Sequence, residues 1–305
     1  MKEPIAILIP GIRFMERLML RHKAGVLSAL FLVPVAIIAF GLYAYAGGAI
    51  DSSQKERAGV AYTRNLQKVL HAVVALQMDV ASADLVTAGQ TALQTLEGLA
   101  NEDGDALSVA ADVRHLQSEW TEAVAGNASQ RMILLAALLK VQTKIADNSS
   151  LTLDPELGAY YLMEMGVEQL PNLVADAARV TNASVGSDAV ETAERLGRVQ
   201  ARAESLDTGA ERVAETVSDS RVAAALQTLH DALQKWRADI HGDGLAAALL
   251  NESRHLSTVL TEELEVRLAQ RIKKERVQLW LMASVSLLLF TSTFSPFASL
   301  NGESS

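Results

Sequence analysis

From Ala24 to Ile50 the chain carries no charged side chain: 27 residues, AGVLSALFLVPVAIIAFGLYAYAGGAI, bounded by Lys23 and Asp51. At ~1.5 Å per residue a helix of this length reaches about 40 Å, more than the ~30 Å hydrocarbon core of a bilayer. The run therefore predicts a transmembrane helix. A cleaved signal peptide is the rival reading, because Ala44-Tyr45-Ala46 is an A-x-A pattern. Against it, about 22 apolar residues precede the cut, where a signal h-region has ~7–15. A buried core helix is the third reading, and so long an uncharged run is uncommon in a soluble domain.

Charge sets the expected orientation. Lys2, Arg13, Arg17, Arg21 and Lys23 face only Glu3 and Glu16 in residues 1–23, whereas residues 51–278 hold 22 basic and 33 acidic side chains. The positive-inside rule puts 1–23 in the cytoplasm and the chain from Asp51 onward outside. The expected location is a bacterial inner membrane, with the main domain in the periplasm. An acidic body lacks the basic footprint of a nucleic-acid binder. The absence of cysteine excludes disulfides, thiolate metal sites and a Cys nucleophile.

Beyond Asp51 the pattern is helical throughout. Leu66, Val69, Leu70, Val73, Leu76 and Val80 follow the spacing of a buried helical stripe. A weakening is expected at Thr87-Ala88-Gly89 and a turn at 101–105. Further helices are expected over about 106–124, 128–147, 154–180, 188–240 and 245–276. Asp154-Pro155 suits an N-cap followed by the first helical position, and Pro171 predicts a bend. The tract 188–240 is expected to bend near Val217–Ser220, and 182–187 to form a loop. No stretch alternates as a strand would. The fold class expected is all-α: a membrane-anchored, long antiparallel helix bundle, either one four-helix bundle or two stacked ones. A weak repeat, Leu116-Gln117-Ser118-Glu119-Trp120 with Gly126 and Leu233-Gln234-Lys235-Trp236 with Gly242, is compatible with duplication or with chance.

A second uncharged run, Leu279–Leu300, begins as a membrane helix but turns polar at Thr291 and contains Pro296. The expected layout is a cytoplasmic segment 1–23, a first span 24–50, a sensor domain 51–278, a second and incomplete span 279–300, and a tail 301–305. A truncated or frame-shifted gene would look like this, and so would a genuine short tail.

Two stretches, Lys55-Glu56-Arg57-Ala58-Gly59-Val60-Ala61-Tyr62 and Ser150 to Met163 followed by Leu170-Pro171, together with this layout, resemble the N-terminal sensory half of bacterial transmembrane receptors. The similarity is chiefly to methyl-accepting chemotaxis proteins, with related input regions in membrane diguanylate cyclases and histidine kinases. It implies ligand sensing outside and signalling inside; the expected arrangement is a ligand bound between helices at the interface of a homodimer, shifting the last helix relative to the first. Unlike those receptors, this chain has no linker or output module, which leaves a non-enzymatic sensor, the input half of a cyclase or kinase, and a structural bundle with a protein partner as alternatives.

Arg57 and Arg64 share a helix face, and guanidinium forks suit a carboxylate ligand. They suit an intramolecular ion pair equally. Tyr160 and Tyr161 are candidates to line a ligand pocket, although adjacent helical residues cannot both face it. The expected ligand is a small organic acid or amino acid. His115 and Glu119 lie four apart without a third ligand, so no metal is expected. No phosphate loop, nucleophile elbow or acid–base pair is present, and no cofactor is expected.

Overall fold

The computed structural model describes residues 19–301, apart from 103–104, 154–155, 184–188, 218, 240–241 and 243. Its α-helices are α1 (Leu20–Gln77), α2 (Ala83–Glu102), α3 (Ala110–Ala125), α4 (Ala128–Asn148), α5 (Leu157–Met163), α6 (Leu170–Ala183), α7 (Ala189–Thr216), α8 (Ser220–Ala238) and α9 (Leu245–Asn301). A 3₁₀ turn, Leu151–Leu153, precedes α5, and a π-helical segment, Glu164–Gln169, joins α5 to α6. There is no strand among the described residues, so the fold is all-α.

Several boundaries differ from the sequence expectation. The first break falls at residues 78–82, not at Thr87–Gly89. Asp79 takes a left-handed φ of 59°, which Asp tolerates, and the Ser82 hydroxyl accepts the Leu85 N–H at 3.2 Å as an N-cap does. Gly89 stays inside α2 because a Cβ there would lie 2.6 Å from the Trp120 ring. The tract 188–240 is two helices, with Asp219 capping the second through the Arg221 N–H. Asn127 and Gln130 form a reciprocal capping box at the start of α4. The Asp154-Pro155 cap and most of the 182–187 loop lie outside the described residues.

The chain divides into two compact units, residues 52–271 and the terminal stretches 1–51 with 272–305. In the terminal unit, Ile37, Ile38, Phe40 and Tyr45 of α1 and Trp280, Leu281 and Leu288 of α9 are exposed. By length and composition α1 is long and apolar enough to cross a membrane. Residues 1–18 and 302–305, and the side chains of 24–25, 27–29, 31–32, 289–290 and 292–300 in the two expected spans, lie outside the described set.

The larger unit contains one main core, running from Tyr62 through Trp120, Leu138, Val174 and Trp236 to Leu260. Between Gly59 and Met78, α1 is buried on nearly every side. A helix in that position, with Lys68 alone exposed, has almost no solvent face on which to put its polar residues. Hence Thr63, Gln67, His71 and Gln77 are buried with the aliphatics around them. Helix α9 contributes Ser253, Ser257 and Thr261, also buried, at four-residue spacing. Gln67 meets Ser257 and Ser53 meets Arg271, pairings that run in opposite chain directions, so α1 and α9 pack antiparallel in this unit along a polar seam.

At Pro171 the expected bend takes a specific form. The Leu170 N–H bonds back to the Met165 carbonyl, five residues earlier, which is π-helical pairing. The Pro171 nitrogen would be the next π-type donor for the Gly166 carbonyl and the α-type donor for the Val167 carbonyl, and it carries no hydrogen. Two side chains replace it. Gln67 Nε2 donates to Gly166 O and Gln142 Nε2 donates to Val167 O, each at 2.6 Å and both buried.

Replacing Gln142 with Leu strands the Val167 carbonyl and is expected to destabilise the full chain by ~1–3 kcal/mol. In a Pro171→Ala background, which restores a backbone donor, the same replacement is expected to cost measurably less. Urea unfolding of the four proteins as a double-mutant cycle measures the coupling, and strict additivity would refute this account of the π segment.

Candidate functional site

The larger unit holds a cavity of about 210 Å³ lined by Arg64, Gln67, Lys68 and His71 of α1, Leu85 and Ala88 of α2, and Arg254, Ser257, Thr258 and Thr261 of α9. Residues 64, 67, 68 and 71 lie at three- and four-residue spacing and so share one side of α1; residues 254, 257, 258 and 261 do the same on α9. The cavity therefore sits along the polar seam.

Three cations border it. Arg64 is ion-paired with Glu265. Lys68 and Arg254 have no carboxylate partner among the described residues; Arg254 makes one long hydrogen bond, 3.4 Å, to Asn251. Lys68 and Arg254 are exposed, and cations left unpaired beside a cavity attract an anion, an attraction that solvent and salt screen.

The neutral groups on the wall are already committed as donors. Ser257 Oγ donates to Gln67 Oε1. Thr258 Oγ1 donates to the Arg254 carbonyl at 3.0 Å, and Thr261 Oγ1 to the Ser257 carbonyl at 2.9 Å. His71 is buried, with Nδ1 2.7 Å from the Gln67 carbonyl. A carbonyl only accepts, so the proton belongs on Nδ1 and the lone pair on Nε2. Nε2 is buried and has no hydrogen-bond partner, a state that costs about 1–3 kcal/mol and calls for an explanation. Burial, with the Arg254 charge adding to it, lowers the His71 pKa to about 4 against the opposing pull of the Gln67 carbonyl. The ring is neutral at physiological pH.

The residues expected from sequence fall in different places. Arg64 lines the cavity. Arg57 does not: it lies 3.7 Å from Glu265, half exposed, and borders a separate open cleft with Arg221, Glu262 and Val266. The carboxylate that Arg57 and Arg64 both meet is thus the protein's own. Tyr160 and Tyr161 pack edge to face at 5.6 Å and are not among the residues around the cavity. Tyr161 carries the Arg212 guanidinium 5.8 Å from its ring centroid and packs on the main core, while Tyr160 packs on a smaller cluster around Leu151, Ala159 and Leu268. His115 and Glu119 stand 3.8 Å apart at the surface, and no group of three or more potential metal ligands occurs among the described residues.

Gln67, Lys68, His71, Arg254, Ser257, Thr258 and Thr261 were not singled out by sequence reasoning. A signal for them exists: Gln67 and His71 interrupt the apolar stripe of α1 at i, i+4, and Ser253, Ser257 and Thr261 repeat every four residues on α9. Polar residues in a buried register need partners, and Ser257 finds one in the Gln67 amide, His71 Nδ1 one in the Gln67 carbonyl.

No family model matches the chain, and neither a curated protein nor a solved structure matches it.

The lowered His71 pKa has a definite sign. Between pH 6.5 and about 4 the unfolded chain binds a proton at this position that the folded chain does not, so stability falls as the pH falls through that window. The loss is on the order of 3 kcal/mol by pH 4. In His71→Asn the slope of stability against pH over this window is expected to flatten. Denaturant midpoints from pH 7.5 to 4.5 for both proteins check this, and parallel slopes would exclude a buried neutral His71.

Proposed function

We propose that this chain is a membrane-tethered sensor of a small organic acid or amino acid, of the kind that forms the sensory half of bacterial transmembrane receptors, with its helical domain in the periplasm. The observation that carries the reading is the cavity between α1, α2 and α9. It brings Arg64, Lys68 and Arg254 together over buried amide, hydroxyl and imidazole groups, an arrangement suited to a carboxylate. The uncharged run at 24–50 supports the tether, since it belongs to the helix long and apolar enough to cross a membrane.

The two helices that supply most of the cavity wall, α1 and α9, also carry the two uncharged runs. An occupant that shifts α1 against α9 acts on helices whose continuation leads to those runs. Small displacements of packed helices are an established way of passing a signal. Gln67 ties the cavity to the π segment, because its amide nitrogen holds the Gly166 carbonyl while its oxygen accepts from Ser257. In this reading the protein works as a homodimer and performs no catalysis.

Isothermal titration of the full-length protein with a panel of mono- and dicarboxylic acids and amino acids tests the site. At least one is expected to bind, and Arg254→Ala is expected to weaken that binding ~10–100-fold, the loss of a charge-assisted hydrogen bond. Failure of the whole panel would count against an acid sensor and favour a structural bundle with a protein partner.

Topology has a separate test. Because the chain has no cysteine, a single Ser129→Cys on the exposed start of α4 is expected to react with a membrane-impermeant maleimide in cells whose outer membrane alone is permeabilised. Labelling only after lysis would place the domain in the cytoplasm.

A further inference from the structure

We propose that the cavity selects dicarboxylates, with one carboxylate held by Lys68 of α1 and the other by Arg254 of α9. This rests on the reading of the cavity as an organic-acid site and narrows it to one chemical class.

The donors this cavity offers are its cations. Most of its lining residues lie well inside α1, α2 and α9, where each backbone N–H is used within the helix. The Leu85 N–H, near the start of α2, goes to Ser82 Oγ. The hydroxyl hydrogens of Ser257, Thr258 and Thr261 are committed to Gln67 Oε1 and to backbone carbonyls. The Gln67 amide nitrogen is committed to Gly166 O, and His71 Nδ1–H to the Gln67 carbonyl. Arg64 is engaged by Glu265. That leaves Lys68 and Arg254, which line the cavity from different helices.

Their placement suits one occupant that touches both. Gln67 meets Ser257 across the seam. Lys68 lies one residue after Gln67 and Arg254 three before Ser257, which in an antiparallel pair is the same direction. The two cations therefore stand on one side of that contact and within ~3 Å of one level, at ~1.5 Å per residue, on helices of a pair packed ~8–10 Å apart. A monocarboxylate meets one of them and leaves the other to solvent. A short dicarboxylate meets both, and so ties α1 to α9. At ~30 Å³ per water, 210 Å³ holds roughly seven waters, the scale of such an acid, and Leu85 and Ala88 supply apolar wall for its methylene groups. Sulfate and phosphate have no methylene groups to place there and more oxygens than the two cations serve. An amino group on the acid would enter beside Lys68 and Arg254, while Glu265 is already shared by Arg57 and Arg64.

The test is titration of the full chain at low ionic strength, because both cations are exposed and salt screens them. Succinate and glutarate are compared with propionate and butyrate, and with aspartate and sulfate. In the wild type the better diacid is expected to bind at least ~10-fold tighter than the better monoacid, the contribution of a second charge-assisted hydrogen bond, and tighter than aspartate or sulfate. This ratio requires no variant to fold. In Lys68→Gln and in Arg254→Gln, substitutions at exposed positions that are expected to leave the urea midpoint close to wild type, the ratio is expected to fall to about one. Arg114→Gln removes the same charge from an exposed position on α3 that does not line the cavity, and there the ratio is expected to persist. Equal binding of diacid and monoacid in the wild type, a preference that survives in Lys68→Gln and Arg254→Gln, its loss in Arg114→Gln, or tighter binding of aspartate would each overturn the proposal while leaving the acid site standing. Tighter binding of sulfate than of any acid, or binding of none of these compounds, would overturn both.

Discussion

Two backbone carbonyls, those of Gly166 and Val167, organise the interior of the larger unit. Pro171 removes the donor that either would use, and the π register before it sends the Leu170 N–H to Met165. An orphaned carbonyl in a helix core must be met from elsewhere. Gln67 from α1 and Gln142 from α4 meet them. Each glutamine is itself buried, so its position is defined by the carbonyl it serves. Gln142 approaches from a helix that packs against α6 and the π segment. Gln67 approaches from the central stretch of α1, and its other end receives the Ser257 hydroxyl of α9. One proline thus specifies the placement of three neighbouring helices.

The polar seam between α1 and α9 follows the same logic from the boundary of the unit inward. Nearest its boundary, Arg271 donates to Ser53 Oγ at 3.0 Å and pairs with the buried Glu56. Further in, Arg57 and Arg64 share Glu265, and deeper still Gln67 meets Ser257. An apolar seam tolerates sliding, because one leucine replaces another at modest cost. A seam of matched donors and acceptors has one good register, and others leave a buried group unpaired. Such an interface is stable in discrete arrangements, the property a packed helix pair needs if it is to pass on a displacement.

Much of this architecture is readable in the sequence, and the failures have physical causes. Helical periodicity, the polar turn after Asn101 and the Gly126-Asn127 break are all local signals, and the helices form where they indicate. Gly89 misled because a glycine inside a helix has two uses: it can weaken the helix, or it can admit a neighbour. Here it admits Trp120, whose approach comes from another helix and is invisible in the local sequence. The break at 78–82 depended on Asp79 adopting a left-handed conformation that Asp permits without requiring. Pro171 signalled a bend, but the π register it terminates depends on Gln67 and Gln142, which lie about 100 and 30 residues away in the chain.

The site was less legible than the fold, for a related reason. Arginines at 57 and 64 attracted notice because a cation on an amphipathic helix stands out; yet both lie toward solvent, where a carboxylate of the same protein already holds them. Of the residues with unsatisfied chemistry, Lys68 and Arg254 are exposed cations as well, whereas His71 is a less conspicuous type in a buried register. His71 is one turn beyond Gln67, and its ring uses that residue's carbonyl as a fixed acceptor. This single contact determines the tautomer, the tautomer leaves a lone pair at Nε2, and the burial that keeps the ring neutral preserves that lone pair at physiological pH. The same central placement of α1 that gives the core its stability therefore also leaves a buried acceptor with no hydrogen-bond partner. A helix with a solvent face at this position would have presented His71 to water, which would satisfy that acceptor.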